Sequence, residues 1–347
     1  MSLGTERVLT QRELNRALLD RQLLLARRRL RLPRALERIG GLQAQYAPSM
    51  YIGLWSRVEN FRRGDLTRAL ERRSVVQGTL MRATIHLVSA GDYWPFALGV
   101  RAARREMWIR THRGAVSAAE LRSAAAQAKR RLAAGPLARA ELIDGLDTAT
   151  FNGLGMWLDL VRVPPAGTWE RRRADLYATA ESWLGAAAAS PAEGIERLVQ
   201  RYLQGFGPGA PRDIADWAGL PARVVSEALD TMELRHFRDE QGTLLVDLPR
   251  LALPAPDTPA PVRFLPTWDA TLLVHCRRTQ LLPEEHRAKI FHVKAPQSYP
   301  TFAMDGAVAG TWRHERGRVE LQPFGRLARA ARAELGDAGR ALAAFLA

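Results

Sequence analysis

Gly41-Leu42-Gln43-Ala44-Gln45, read with Met81-Arg82-Ala83-Thr84-Ile85-His86-Leu87-Val88, is the part of this chain from which the rest can be organised. Two glutamines one residue apart bring two side-chain carboxamides to one place. A carboxamide donates and accepts hydrogen bonds, so a pair can hold a water molecule in a fixed orientation. On spacing alone, such a pair more often bonds nearby backbone in a polar loop. What precedes it sets its context. Thr10-x-x-Glu13 has the form of a capping box, and Leu14, Leu18, Leu19 and Leu23 recur at helical spacing. Pro33 can open a second helix that Gly40-Gly41 would close, which leaves the glutamines on a loop or a helix end. Asp65 caps a third helix through about Arg73. Residues 75–88, rich in β-branched side chains, read as a strand pair. Helices followed by a hairpin make a winged helix, a variant of the helix-turn-helix.

The pattern continues downstream. A long helix is expected over residues 92–110. A second unit opens at the capping box Ser117-x-x-Glu120, with a short helix over 137–146, a helix over 151–161 and a turn at Pro164-Pro165-Ala166-Gly167. A third unit opens near Ser190-Pro191-Ala192-Glu193. Its helices are expected over 195–206, 211–217 and 222–232, with a hairpin formed by 234–237 and 243–248. After the proline-rich linker 249–261 come short strands at 272–275, 290–293, 307–312 and 318–322, with Asp305-Gly306 as a hairpin turn, and a closing helix over 328–346. The expected architecture is therefore mainly α with β (α+β): three tandem winged-helix units over 1–112, 113–188 and 189–249, then a small β-barrel with its closing helix over 262–347.

The glutamine loop, "LWSRV" (54–58), "MRATIHLV" (81–88), "RYLQGFGPG" (201–209), "FLPTWDATLL" (264–273) and "MDGAVAGTW" (304–312) together resemble the AlkZ-like winged-helix DNA glycosylases. The ordered set covers nearly the whole chain. The resemblance implies removal of bulky alkylated purines from DNA, with Gln43 and Gln45 as the catalytic pair that binds and orients water. It implies no cofactor and no metal. It also suggests self-resistance in a producer of a DNA-alkylating natural product.

Composition agrees in kind. The 347 residues carry a formal net charge of +15, which favours a polyanionic partner such as double-stranded DNA. Only Lys129, Lys289 and Lys294 are lysines. A glycosylase that also cuts the backbone needs an amine nucleophile, so scarce lysine leans toward one that uses water alone. The single Cys276 and the lack of a signal peptide point to a reducing, cytoplasmic setting with association to the nucleoid. No apolar run is long enough to span a membrane. Three units in one chain, with no dimerisation coiled coil, suggest a monomer without an obligate protein partner.

The candidate DNA-contacting residues are Arg57, Arg82, Thr84, His86, Arg171, Arg172, Arg173, Arg277 and Arg278. Arg82, Thr84 and His86 alternate on one strand and would share a face. His86 could equally order the glutamine loop or sit satisfied in the core. Asp269 either anchors an arginine or holds a turn. The run Arg27-Arg28-Arg29-x-Arg31 is either a solvated helix end or a phosphate contact. The competing functional class is a non-catalytic winged-helix DNA-binding protein, which explains the charge but gives no reason for the paired glutamines.

Overall fold

The computed structural model of the chain describes residues 6–273, 278–291 and 298–347, with the backbone alone for Arg278. Helix Gln11–Arg21 starts as read: the Thr10 hydroxyl accepts from the Glu13 N–H, and the Glu13 carboxylate accepts from the Thr10 N–H. Helix Leu32–Ile39 opens on Pro33 and ends at Gly40 in the left-handed region. Gly41 follows at φ 83°, and the chain reverses into strand Leu42–Gln43, antiparallel to Ile85–Ser89. A Cβ on Gly41 would lie 3.0 Å from the Leu87 carbonyl oxygen, so both the positive φ and the close approach call for glycine. Helix Ala47–Arg57, absent from the sequence reading, follows directly with Pro48 in its first turn.

The expected first hairpin forms from Val75–Thr79 and Ile85–Ser89. It does not end a separate unit. Gln77 and Gly78 pair with Arg162 and Val161 of a second hairpin, Leu160–Arg162 with Leu176–Thr179. The result is one six-stranded sheet that crosses the expected boundary at residue 112. Its order is Leu42–Gln43, Ile85–Ser89, Val75–Thr79, Leu160–Arg162, Leu176–Thr179, Leu137–Ala138. This fusion corrects two helices. The one expected over 151–161 is Thr148–Trp157 and gives way to a strand. The one expected over 137–146 begins as strand Leu137–Ala138 and is helical only over Arg139–Leu142. In both, pairing to the sheet overrides a local helical pattern.

The third unit follows the reading closely, with helices Pro191–Phe206, Pro211–Ala218 and Ala222–Asp230 and a hairpin of Arg235–Asp239 and Leu244–Asp247. Strand Val8–Leu9 adds to it in parallel, making three strands. Among the described residues the expected barrel is not closed. Strands Arg263–Leu265, Thr301–Met304, Ala307–Glu315 and Arg318–Pro323 form an open antiparallel sheet in simple sequence order. Asp305 and Gly306, at φ 44° and 82°, make the expected tight hairpin turn. The strand expected over 272–275 is instead helix Ala270–Leu273 as far as it is described. The one expected over 290–293 begins at the end of helix Arg287–Ile290. Residues 274, 275, 292 and 293 lie outside the described residues. Helix Arg329–Leu346 closes the chain as read.

The fold is a mixture of helix and sheet in which the units share cores. The largest buried cluster draws on residues from Leu18 to Val308. Two buried arginine–aspartate forks join distant segments. Arg21 on the first helix meets both carboxylate oxygens of Asp247 at 2.8 and 2.9 Å. Arg57, at the end of Ala47–Arg57, meets both oxygens of Asp269 at 2.9 Å, and both side chains are 0% exposed. Asp269 also accepts from the Thr271 N–H and hydroxyl, so it anchors an arginine and holds a turn at once. Removing one partner of such a pair strands a buried charge. Asp269→Ala should lower unfolding stability by about 3–5 kcal/mol. The double replacement Arg57→Met/Asp269→Leu should recover most of that loss, as read by urea denaturation of the three proteins.

Candidate active site

The glutamine loop is held by backbone pairing on one side and by an arginine on the other. Gln43 sits opposite His86 in the sheet, and the Ala44 N–H donates to the Ile85 carbonyl at 2.7 Å. Gln43 is buried at 6% exposure, whereas Gln45 is exposed. A hydrogen-bonded row connects them. Arg82 Nη2 donates to Gln43 Oε1 at 3.2 Å, and Gln43 Nε2 donates to Gln45 Oε1. Arginine has donors only, so Gln43 must turn its carbonyl oxygen toward Arg82. Its amino group is then left facing Gln45, whose carbonyl must turn to meet it. One donor-only group thus sets the orientation of both amides. Gln45 keeps a second lone pair on Oε1 and both N–H donors for a water or a sugar.

Arg82 occupies a strained turn. Arg82 and Ala83 adopt φ values of 52° and 56°, a left-handed conformation costly for residues with a Cβ. The turn packs on Gly219, where any side chain would approach the Arg82 backbone nitrogen to 2.9 Å. Arg82 also donates to the Trp217 carbonyl. The third unit therefore braces the loop carried by the first. Burial pushes the Arg82 guanidinium down to about 10, which leaves it charged at neutral pH.

Gln45 opens onto a cleft of about 370 Å³. Its walls are Thr79, Ala83, Thr84, Ile85, Arg139, Phe151, Asn152, Gly155, Met156, Leu160, Arg162 and Tyr177. Arg139, Arg162, Asn152 and Gln45 can donate hydrogen bonds into it, and no carboxylate lines it. Among the described residues, no group of three or more His, Cys, Asp or Glu is placed to hold a metal. The arrangement can orient water and meet an anion, and its walls hold neither a carboxyl nor an imidazole to protonate a neutral leaving base.

The other candidates fall into three groups. Arg57 is corrected: its guanidinium is locked in the Asp269 fork and withdrawn from solvent, so it cannot reach a phosphate. His86 is corrected likewise. It is 3% exposed, and burial followed by the Arg82 charge pushes its imidazole down to about 3, keeping it neutral. Its Nδ1 lies 3.0 Å from the Thr84 carbonyl, which suits the loop-ordering role. Thr84 lines the cleft, and its hydroxyl donates to the Met81 carbonyl. Arg171, Arg172 and Arg173 are exposed on the turn after Arg162. Arg171 and Arg173 share Asp175 at 3.0 and 3.4 Å, and Arg172 lies over the Trp169 ring. Arg277 and the Arg278 side chain lie outside the described residues.

Of the basic run, Arg27 stacks on Trp55 while Arg28, Arg29 and Arg31 are exposed. Sequence reasoning missed Arg139, Asn152, Phe151, Arg162 and Tyr177 as cleft residues. No local motif marks them, because only the pairing of Gln77 with Arg162, and of Arg162 with Tyr177, brings them beside Gln45.

A solved structure similar to this fold is the Streptomyces sahachiroi DNA glycosylase AlkZ. The TM-score is 0.81 at 20% sequence identity, covering 98% of this chain and 97% of that one. No curated protein sequence matches this chain. The family described as DNA glycosylase AlkZ-like matches residues 36–345, which include the glutamine loop, the strained turn and the four-stranded sheet. The chain therefore belongs to the AlkZ-like DNA glycosylase family.

Proposed function

We propose that this DNA glycosylase is monofunctional and hydrolyses the N-glycosidic bond of bulky N7-alkylguanine in double-stranded DNA. The observation that carries this reading is an amide held by its neighbour and opening, with its donors free, onto a cleft without a carboxylate. A neutral purine needs a general acid before it can leave. An N7-alkylguanine is already cationic and needs none. What remains is to place water against C1′ and steady an oxocarbenium-like sugar, the kind of task that orientation and fixed dipoles perform. Gln45 presents the water and Gln43 fixes Gln45. Arg82 acts on the amides rather than on phosphate. Among the described residues no lysine lines the cleft, which favours water over an amine nucleophile.

We read the three helix-and-hairpin units as winged helices that grip the duplex. Thr84 and Arg171, Arg172 and Arg173 contact the backbone, and the chain acts as a monomer. A role in resistance to a DNA-alkylating natural product follows from the same substrate class.

Purified protein incubated with a duplex carrying one N7-alkylguanine, then heated in alkali, should give strand cleavage at the abasic site. Gln43→Ala/Gln45→Ala should lower the single-turnover rate by about a hundredfold or more while duplex affinity is kept. Cleavage by neither protein across several adducts would leave the non-catalytic DNA binder as the better reading. Arg82→Met should cost roughly tenfold to a hundredfold in rate at saturating enzyme, because the amides lose their fixed orientation. Arg82→Lys, which keeps a donor-only cation, should restore part of it.

The reading also fixes a pH dependence. Glutamines do not titrate. His86, lowered to about 3, stays neutral above roughly pH 4, and Arg82, lowered to about 10, stays charged below roughly pH 9. The single-turnover rate on a cationic adduct should be flat between about pH 5 and 9. Stability, by contrast, should fall as pH drops below about 6.5, where the unfolded chain protonates His86 and the folded chain does not. A bell-shaped rate profile centred near neutrality would point to a titrating catalytic group elsewhere.

A further inference from the structure

The cleft holds two cations that the hydrolysis itself does not use. Arg162 lies opposite Tyr177 in the sheet, and its guanidinium sits 5.4 Å from that ring's centroid. Arg139, on the short helix after Ala138, sits 4.6 Å from the Phe151 centroid. The two rings meet edge to face at 6.4 Å. The wall is therefore a row of cation, ring, ring, cation, which limits the freedom of both guanidiniums.

Their charges are uncompensated. Arg101 and Arg104 share Asp159, and Arg171 and Arg173 share Asp175. Among the described residues, Arg139 and Arg162 pair with no carboxylate. Arg162 donates to the Thr79 hydroxyl at 3.3 Å and lies beside the Tyr177 phenol, both neutral partners. Burial holds its pKa below the usual arginine range, the mark of a cation desolvated without an anion beside it. The geometry is also at odds with the reaction. The leaving base is cationic and the sugar becomes so, and bare guanidiniums nearby would oppose both. An anion seated on them removes that opposition. A planar guanidinium fork matches phosphate oxygens, and Asn152 supplies a neutral donor on the same wall.

We propose that Arg139 and Arg162, with Asn152, form a phosphodiester subsite. It takes one backbone phosphate flanking the lesion nucleotide and so sets the sugar over Gln45. The inference rests on the glycosylase reading for which phosphate is bound, but not for binding itself.

The test pairs the arginines with single phosphates. Affinity for an unmodified duplex is measured against salt for the whole protein, Arg139→Gln and Arg162→Gln. Each variant should make the slope of log affinity against log salt shallower by about one. Arg162→Lys should keep the slope. Next, lesion duplexes carrying one neutral methylphosphonate linkage, walked along the strand, are titrated with Gln43→Ala/Gln45→Ala protein with and without Arg162→Gln. One flanking linkage should cost the arginine-bearing protein about tenfold in affinity, and the protein lacking Arg162 less than about twofold. Thermal melting of each variant confirms that it is folded.

Unchanged salt slopes in folded variants would overturn the subsite. So would a neutral linkage that costs both proteins equally at every position. Wild-type protein that releases no base, while the slopes still change, would sink the glycosylase reading and leave the subsite standing.

Discussion

Two residue pairs of backbone ladder, Leu42 with Leu87 and Gln43 with His86, are the constraint on which the site depends. A loop bearing two amides has no intrinsic reason to hold either in one orientation. Joined to the edge of a six-stranded sheet, it inherits the sheet's rigidity. The two left-handed glycines before it turn the chain onto that edge, and the helix starting at Ala47 carries it away again. The same edge position explains the burial of His86. The ring is 3% exposed with its Nδ1 on the Thr84 carbonyl, and a charge there would have no solvent. Its strongly lowered pKa is thus a consequence of the pairing.

The second element of the site is directional. Hydrogen bonds between amides can run either way along a row, and a row without a fixed end is free to flip. Arg82 supplies that end because it can only donate. Its own position is over-determined by a left-handed backbone, by the Trp217 carbonyl and by the close approach of Gly219. Two consecutive strained residues persist only where their surroundings hold them. Here the third unit does so, from far along the sequence. The loop beside one helix pair is oriented by the corner between helices Pro211–Ala218 and Ala222–Asp230, and for that reason the shared core matters more than the expected unit boundaries.

Much of this was legible in the sequence, and the rest was not for identifiable reasons. Capping boxes at Thr10, Ser117 and Ser190 and the Asp305-Gly306 turn are local signals, and each marked its element. The first and third hairpins were read because their strands pair with neighbours in sequence. The second was obscured because Leu160–Arg162 takes its partners from both sides of a long interval, so that its few residues looked like the tail of a helix. The barrel expectation failed for a related reason. Counting strands does not decide whether the first meets the last, and Arg263–Leu265 and Arg318–Pro323 remain at opposite edges. At the site, the glutamines were visible as a motif. The fates of Arg57 and Arg82 were not, because sequence gives an arginine's charge but not which buried acceptor, a carboxylate for one and an amide and a carbonyl for the other, waits for it.

That last distinction governs how the net charge of +15 should be read. The total says that a polyanion is a fitting partner, but not which cations face it. Arg16, Arg21 and Arg57 are buried and committed to Asp305, Asp247 and Asp269, so they hold the fold together and offer nothing to DNA. Arg82 is spent on an amide. The arginines that remain informative are those with no acid beside them. Arg139 and Arg162 stand beside the one glutamine that reaches the cleft. A buried cation without a counterion costs stability in the free protein. On the proposed reading the reacting centre is itself positively charged, so such cations beside it would oppose the reaction unless the substrate brings the missing negative charge. A nucleic-acid backbone brings one at every linkage. The proposed need for an anion in this cleft thus joins the charge of the proposed reaction to the pairing of the other arginines.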